Sequence, residues 1–185
     1  MRWLIRGMLV VLVLLGAWHA LQWNFYRGAL PEGLGIWWRS YAQNRTWGFG
    51  PGGNETGFNE FILPDAAAER LAKGGPDYLA TLEPIGSRRG WFRDGGFAGW
   101  SETPVPVEPP WVLRPGHAVA GTGPDGPSIL HLLDRYGGLI AIPPERRARI
   151  DTALTAPGSF YAFGAGGRVI VISPPQRRAW VAYAG

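Results

Sequence analysis

The chain has no cysteine among its 185 residues, and this absence excludes several classes of chemistry. Disulfide bonds, thiol nucleophiles and zinc–thiolate centres all need cysteine side chains. Lysine is nearly missing as well, because Lys73 is the single lysine among 18 basic residues. The net charge of +4 is carried by arginines scattered along the chain, so we expect no nucleic-acid partner.

Glycine and proline, by contrast, are abundant, with 28 and 17 residues respectively. They separate short apolar and aromatic runs, which is typical of a domain with many turns rather than of a disordered chain. Hydrophobic residues make up 46% of the sequence, enough to build a buried core. The length suits one domain once the N-terminal segment is set aside.

The N-terminal segment contains an unbroken apolar run from Gly7 to Trp18. As an α-helix, residues 3–23 would extend about 31 Å at ~1.5 Å per residue, close to the roughly 30 Å of a hydrocarbon core. Aromatic and cationic residues stand at both ends, as expected at the two membrane interfaces. These interface residues are Trp3, Arg6, Trp18, Trp23, Tyr26 and Arg27. The sequence therefore predicts a transmembrane signal-anchor helix in residues 1–27, which contacts the lipid bilayer through residues 3–23.

Two alternatives to an anchor are a cleaved signal peptide and a buried helix of a soluble protein. A signal peptide needs small residues at alternate positions before the cut. A cut after Ala20 places Trp18 at such a position, and a cut after Ala17 places Leu15 there. The positive residues before the span favour an N-terminus inside the cell. We therefore expect a single-pass protein of the inner (cytoplasmic) membrane, with its C-terminal domain outside the cytoplasm.

Beyond the anchor, the sequence divides into two further parts. Residues 28–56 form an aromatic juxtamembrane segment and a flexible, glycine-rich joint, and residues 57–185 form the extracytoplasmic domain. Within the first part, Leu34 to Trp47 suit a short helix on the membrane surface. The aromatic residues of that stretch would equally serve to cover the core of the domain.

Three strand-like runs, SFYAF, RVIVI and AWVAY, lie close together near the end of the chain. The middle run is apolar at four successive positions, Val169 to Ile172, as in a strand that is covered on both faces. This pattern predicts a three-stranded antiparallel meander. Short helices are expected at DAAAERLAK, PSILHLLDRY and PERRARIDTALTA. The predicted fold class is therefore α+β, in which an N-terminal transmembrane helix precedes a small antiparallel-sheet domain with a few short helices.

Candidate catalytic residues are few. His131 and Asp134 are three positions apart on a predicted helix, a spacing that places a base and its orienting carboxylate on one face. His117 lies elsewhere, in a loop rich in proline and glycine, and could complete a triad with Ser101 and Glu102. The same HLLD segment also reads as an ordinary amphipathic helix. No fuller constellation accompanies these residues, so we expect neither a metal nor a cofactor.

A cluster of tryptophan and arginine residues in the middle of the chain suits the binding of a partner or ligand. Its members are Trp91, Trp100, Trp111, Arg88, Arg89 and Arg93. Aromatic residues at alternate positions would equally fill the core of the domain.

These features favour a binding protein over an enzyme. We expect an accessory or assembly subunit anchored in the membrane, whose outer domain binds another membrane or envelope protein. Two other functions suit the same sequence: a membrane-anchored envelope hydrolase or transferase, and a module that binds cell-wall glycans.

Overall fold

The computed structural model describes residues 2–47, 54–82, 96–112, 126–136 and 140–185. Four helices lie in these ranges: α1 (Arg2–Arg27), α2 (Asp65–Ala80), α3 (Ile129–Leu133) and α4 (Pro144–Thr155). The strands are β1 (Arg39–Trp47), β2 (Asn54–Ile62), β3 (Ala98–Glu102), β4 (Phe160–Gly164), β5 (Arg168–Ser173) and β6 (Arg178–Ala184). All six strands form one antiparallel sheet in the order β1-β2-β6-β5-β4-β3. The α+β fold with an antiparallel sheet is thereby confirmed.

The predicted meander is present as β4, β5 and β6. Ile170 in β5 pairs with Ala162 on one side and with Val181 on the other. The segment Val169–Ile172 is buried, as expected for a central strand with both faces covered. Gly167 has φ +67° in the tight turn between β4 and β5, and a Cβ there would lie 2.1 Å from the Ala184 carbonyl oxygen. Glycine is therefore required at this turn.

The sheet extends beyond the meander because β2 pairs with the free side of β6. Strand β1 then pairs with β2, so Leu34 to Trp47 does not form a surface helix and ends in a strand. Leu30, Leu34 and Ile36 are buried in the core just before β1. The folded unit therefore includes residues 29–47, and the predicted boundary at residue 57 falls inside β2.

Each face of the sheet is covered by its own hydrophobic core. One core contains α2 and residues 29–36, packed on Phe61, Ile170 and Val181. The other contains α3, α4 and Trp111, packed on the opposite side of the same strands. Successive residues of β6 divide between them, because side chains alternate across a strand: Trp180 and Ala182 face the second core, whereas Ala179 and Val181 face the first.

Helix α4 begins at Pro144, where the missing backbone N–H of proline has no consequence. Residues 140–142 are not in a strand, and Ile140 is instead buried in the second core. Residues 137–139 lie outside the described part of the chain.

Helix α1 differs from the other helices because the apolar side chains that the structure describes along it are exposed. Trp3, Leu14 and Trp18 are each at least 60% exposed. Within the described part of the chain, no helix combines the length and the apolar character that crossing a lipid bilayer requires.

Candidate functional site

A buried carboxylate lies where β1, β2, β6 and α4 meet. Glu60 is on β2, and its side chain is 1% exposed. It is paired with Trp180 on β6 and with Tyr41 on β1. A buried carboxylate requires hydrogen bonds and counter-charges, because its transfer from water is otherwise strongly unfavourable.

Two neutral groups donate hydrogen bonds to this carboxylate. The Ser40 hydroxyl donates to Glu60 Oε1 at 2.7 Å, and the Trp180 indole Nε1 donates to Oε2 at 3.1 Å. The indole lies fully within the second core, so the carboxylate satisfies a donor that has lost contact with water.

Three arginines surround the same carboxylate. Arg146 Nη1 lies 2.5 Å from Oε1, Arg149 Nη2 lies 3.4 Å from Oε2, and Arg178 Nε lies 3.8 Å from Oε1. Their side chains are 23%, 38% and 28% exposed. The guanidinium groups therefore bridge the buried carboxylate and the solvent. We call these six residues the Glu60 cluster: Ser40, Glu60, Arg146, Arg149, Arg178 and Trp180.

The cluster keeps Glu60 ionised. Burial by itself raises the pKa of Glu60, but hydrogen bonds from Ser40 and Trp180, together with the charges of Arg149 and Arg146, outweigh burial and hold the pKa below 4.5. An ionised carboxylate of this kind accepts hydrogen bonds and cannot act as a general acid at neutral pH. Its role is to orient the three guanidinium groups.

The cluster has more positive than negative charge, because three arginines surround one glutamate. Arg146 is also stacked on the ring of Tyr41 in β1, with 4.6 Å between the guanidinium carbon and the ring centroid. The Arg146 guanidinium is thus held by both the carboxylate and the aromatic ring. Such an arrangement suits recognition of carboxylate or phosphate groups from the solvent side.

Sequence patterns alone did not identify this cluster. Arg146 and Arg149 are three residues apart, which places them on one face of α4. Glu60 follows Phe58 at the next position on the same face of β2. A charged residue at an inward position of a strand was the available signal, but its partners come from distant segments.

The predicted catalytic residues have different environments. His131 is buried, and its Nδ1 lies 2.7 Å from the Trp111 carbonyl oxygen. A carbonyl oxygen only accepts, so Nδ1 is the donor in this contact. The Nε2 atom is buried without a hydrogen-bond partner among the described residues. Asp134 is half-buried just after α3, and His117 lies outside the described residues.

The carboxylate that stabilises the start of α3 is Asp151 of α4, rather than Asp134. Asp151 accepts hydrogen bonds from the Ser128 hydroxyl at 3.1 Å and from the Ile129 backbone N–H at 2.9 Å. Burial raises the pKa of Asp151, against the lowering effect of these hydrogen bonds and of the nearby charges of Arg147 and His131. This arrangement caps α3 and joins it to α4.

The predicted aromatic binding group is divided by the sheet. Trp111 is buried in the second core, where its ring contacts those of Tyr161 and Phe163. Trp100 is half-buried and packs against the first core. Trp91, Arg88, Arg89 and Arg93 lie outside the described residues, so partner binding by the group as a whole stays a prediction.

A different aromatic pair is on the surface. Trp37 and Trp38 are 65% and 50% exposed, and their ring centroids are 5.9 Å apart in an edge-to-face arrangement. They lie immediately before β1, the strand at one edge of the sheet. Exposed tryptophans next to a sheet edge are typical of a protein contact surface.

The described residues contain no group of three or more histidine, aspartate or glutamate side chains arranged to hold a metal ion. Comparison of the chain with protein-family models, with curated proteins and with solved structures finds no match. The geometry of the chain itself is therefore the basis for its proposed function.

Proposed function

We propose that this chain is a membrane-anchored accessory protein. In this proposal, α1 anchors the chain in the inner (cytoplasmic) membrane, and the α+β domain lies outside the cytoplasm and binds another membrane or envelope protein. The observation that carries the proposal is the exposure of the apolar side chains around α1. Apolar side chains that are exposed along a helix favour a nonpolar environment, which a lipid bilayer supplies.

Two further observations support the proposal. The domain fills both faces of its sheet with its own cores, so α1 is not needed to cover either face. Trp37 and Trp38 lie a short distance after α1 and are exposed together. In the proposed arrangement they remain close to the bilayer, where they would contact a partner that is also held in the membrane.

Membrane extraction tests the anchor. We expect the full chain to stay in the membrane pellet after washing with alkaline carbonate. A chain that begins at residue 28 should appear in the soluble fraction, as should a Leu12→Asp/Leu14→Asp variant, because a charge at the bilayer centre opposes insertion. Release of the full chain by carbonate would refute the anchor.

The absence of cysteine allows a direct test of orientation. Val107 is exposed in the domain, so Val107→Cys introduces the only thiol of the chain. A membrane-impermeant maleimide should label this variant in spheroplasts without lysis. Labelling that requires lysis would place the domain in the cytoplasm.

Photo-crosslinking tests the partner. A photoreactive amino acid at Trp37 should give a discrete adduct with a membrane or envelope protein, whereas the same group at Val107 serves as the exposed control. Equal adduct patterns at both positions, or no adduct at Trp37, would contradict partner binding near β1.

A further inference from the structure

The two edges of the sheet differ in length. β1 has nine residues, whereas β3 at the opposite edge has five, and each strand has one register shift in its pairing. Helix α2 packs against β3, while the described helices make no extensive contact with β1. A long edge strand presents unpaired backbone N–H and C=O groups to other chains.

The β1 edge is also basic. Its sequence, RSYAQNRTW, includes Arg39 and Arg45 and no acidic residue. The Glu60 cluster is connected to β1 in two ways: the Ser40 hydroxyl of β1 donates to Glu60, and Arg146 stacks on Tyr41 of β1. β1 and the cluster together have five arginines. Three acidic residues lie near them: Glu60 in the cluster, Glu55 opposite Thr46, and Glu145 close to Tyr41, so two positive charges remain.

We propose that an extended, acidic segment of the partner protein adds to β1 as a seventh strand. This inference rests on the partner-binding part of the proposed function and specifies the chemistry of the partner. Backbone hydrogen bonds to β1 supply general affinity, as in other cases of strand addition. Carboxylates of the segment face Arg45 and the guanidinium groups of the Glu60 cluster, and an apolar side chain packs on Trp37 and Trp38.

The alternative is that arginines and irregular pairing protect the edge from aggregation. The irregularity lies between Arg39 and Tyr41, at one end of β1, and the pairing with β2 is regular from Tyr41 to Trp47. Most of the edge is therefore straight enough to accept another strand. Protection also does not require two exposed tryptophans beside the edge.

The test uses the full chain in neutral detergent and a synthetic octapeptide of alternating glutamate and valine. We expect hydrogen exchange to slow at least fivefold in residues 39–47 on peptide addition, and to stay unchanged in residues 98–102. A lysine–valine peptide tests charge. A glutamate–valine peptide that is N-methylated at alternate positions tests backbone pairing, and neither control peptide should bind.

Matched charge variants locate the contact. Arg45→Glu should weaken binding of the labelled acidic peptide at least fivefold, measured by fluorescence anisotropy at constant salt. Arg135→Glu makes the same charge change at an exposed position after α3 and should leave the affinity within twofold. Circular dichroism verifies that both variants are folded.

Several results would overturn the proposal: equal weakening by both variants, binding of the lysine–valine peptide, or protection away from β1. Sedimentation that shows a dimer joined through β1, with no peptide binding, would identify a second copy as the occupant instead. The anchor is judged separately. If carbonate releases the chain from the membrane but the chain binds the peptide, only the anchor is refuted. If the chain stays in the membrane after carbonate washing but does not bind the peptide, only the docking site is refuted.

Discussion

Replacement of Glu60 by glutamine tests whether the buried carboxylate organises the junction of β1, β2, β6 and α4. The change keeps the size and one acceptor oxygen, but it removes the negative charge that balances three guanidinium groups. Removing one partner of a buried ion pair typically costs about 3–5 kcal/mol. The arginine side chains here are 23–38% exposed, so solvent compensates part of the loss, and we expect Glu60→Gln to lower the free energy of unfolding by about 2–3 kcal/mol.

Urea unfolding followed by tryptophan fluorescence measures this loss. Glu55→Gln is the matched control, because Glu55 is an exposed residue of the same strand. The control should change stability by no more than about 0.5 kcal/mol. A loss of 2–3 kcal/mol is a large part of the ~5–15 kcal/mol of an ordinary domain, so the two variants should be easily distinguished.

The pH dependence supplies a second measure. The folded-state pKa of Glu60 lies below 4.5, so its carboxylate contributes stability above pH 4.5 that is lost as the pH falls through the folded pKa. The difference between wild type and Glu60→Gln should therefore shrink on acidification below pH 4.5. The raised pKa of Asp151 has the opposite effect on stability, since protonation of Asp151 favours the folded state. This contribution is the same in wild type and in Glu60→Gln, so it cancels in the difference between them.

The reasoning would be refuted if Glu60→Gln unfolded at the same urea concentration as Glu55→Gln, with a pH-independent difference from wild type. That result would mean that the arginines and the Trp180 indole find equivalent partners in water or elsewhere in the fold.

Two further predictions concern the sheet. Ile170→Asp places an unpaired carboxylate in the central strand and should cost several kcal/mol, enough to abolish cooperative thermal unfolding seen by circular dichroism. Arg177→Asp is the control: it removes an exposed ion pair with Asp65 and should change stability by only about 0.5 kcal/mol. If Ile170→Asp melts like the wild type, β5 is not the central strand. Gly57→Ala should cost about 1–3 kcal/mol because its Cβ would lie 2.3 Å from the Tyr183 ring. In a Tyr183→Ala background that cost should largely disappear, and a double-mutant cycle that shows no coupling would contradict the close contact.

The sequence predicted those parts of the fold whose contacts are local. β4, β5 and β6 follow one another with short turns, and the continuous apolar run at Val169–Ile172 identified the central strand. The helix start at Pro144 was predictable for the same reason, because a proline at the first turn is a local signal.

The sequence did not predict the parts that depend on distant pairing. Residues 34–47 are rich in aromatics with arginine interspersed, a pattern that fits both a surface helix and an edge strand. What decides between them is the pairing of β1 with β2 and of β2 with β6, which no local pattern encodes. The Glu60 cluster was missed for the same reason, since its carboxylate and its cations come from segments far apart in sequence.

The strand order also has a consequence for biosynthesis. β2 pairs with β6, and the indole that hydrogen-bonds to Glu60 lies 120 residues further along the chain. At ~5–20 residues per second, a ribosome needs roughly 6–24 seconds to supply that partner. Until β6 is made, the β1–β2 hairpin has an open edge along β2, and the Glu60 carboxylate lacks the indole donor. The sheet can close only after β6 has been synthesised, so a β1–β2 hairpin formed earlier exposes an open strand edge for seconds.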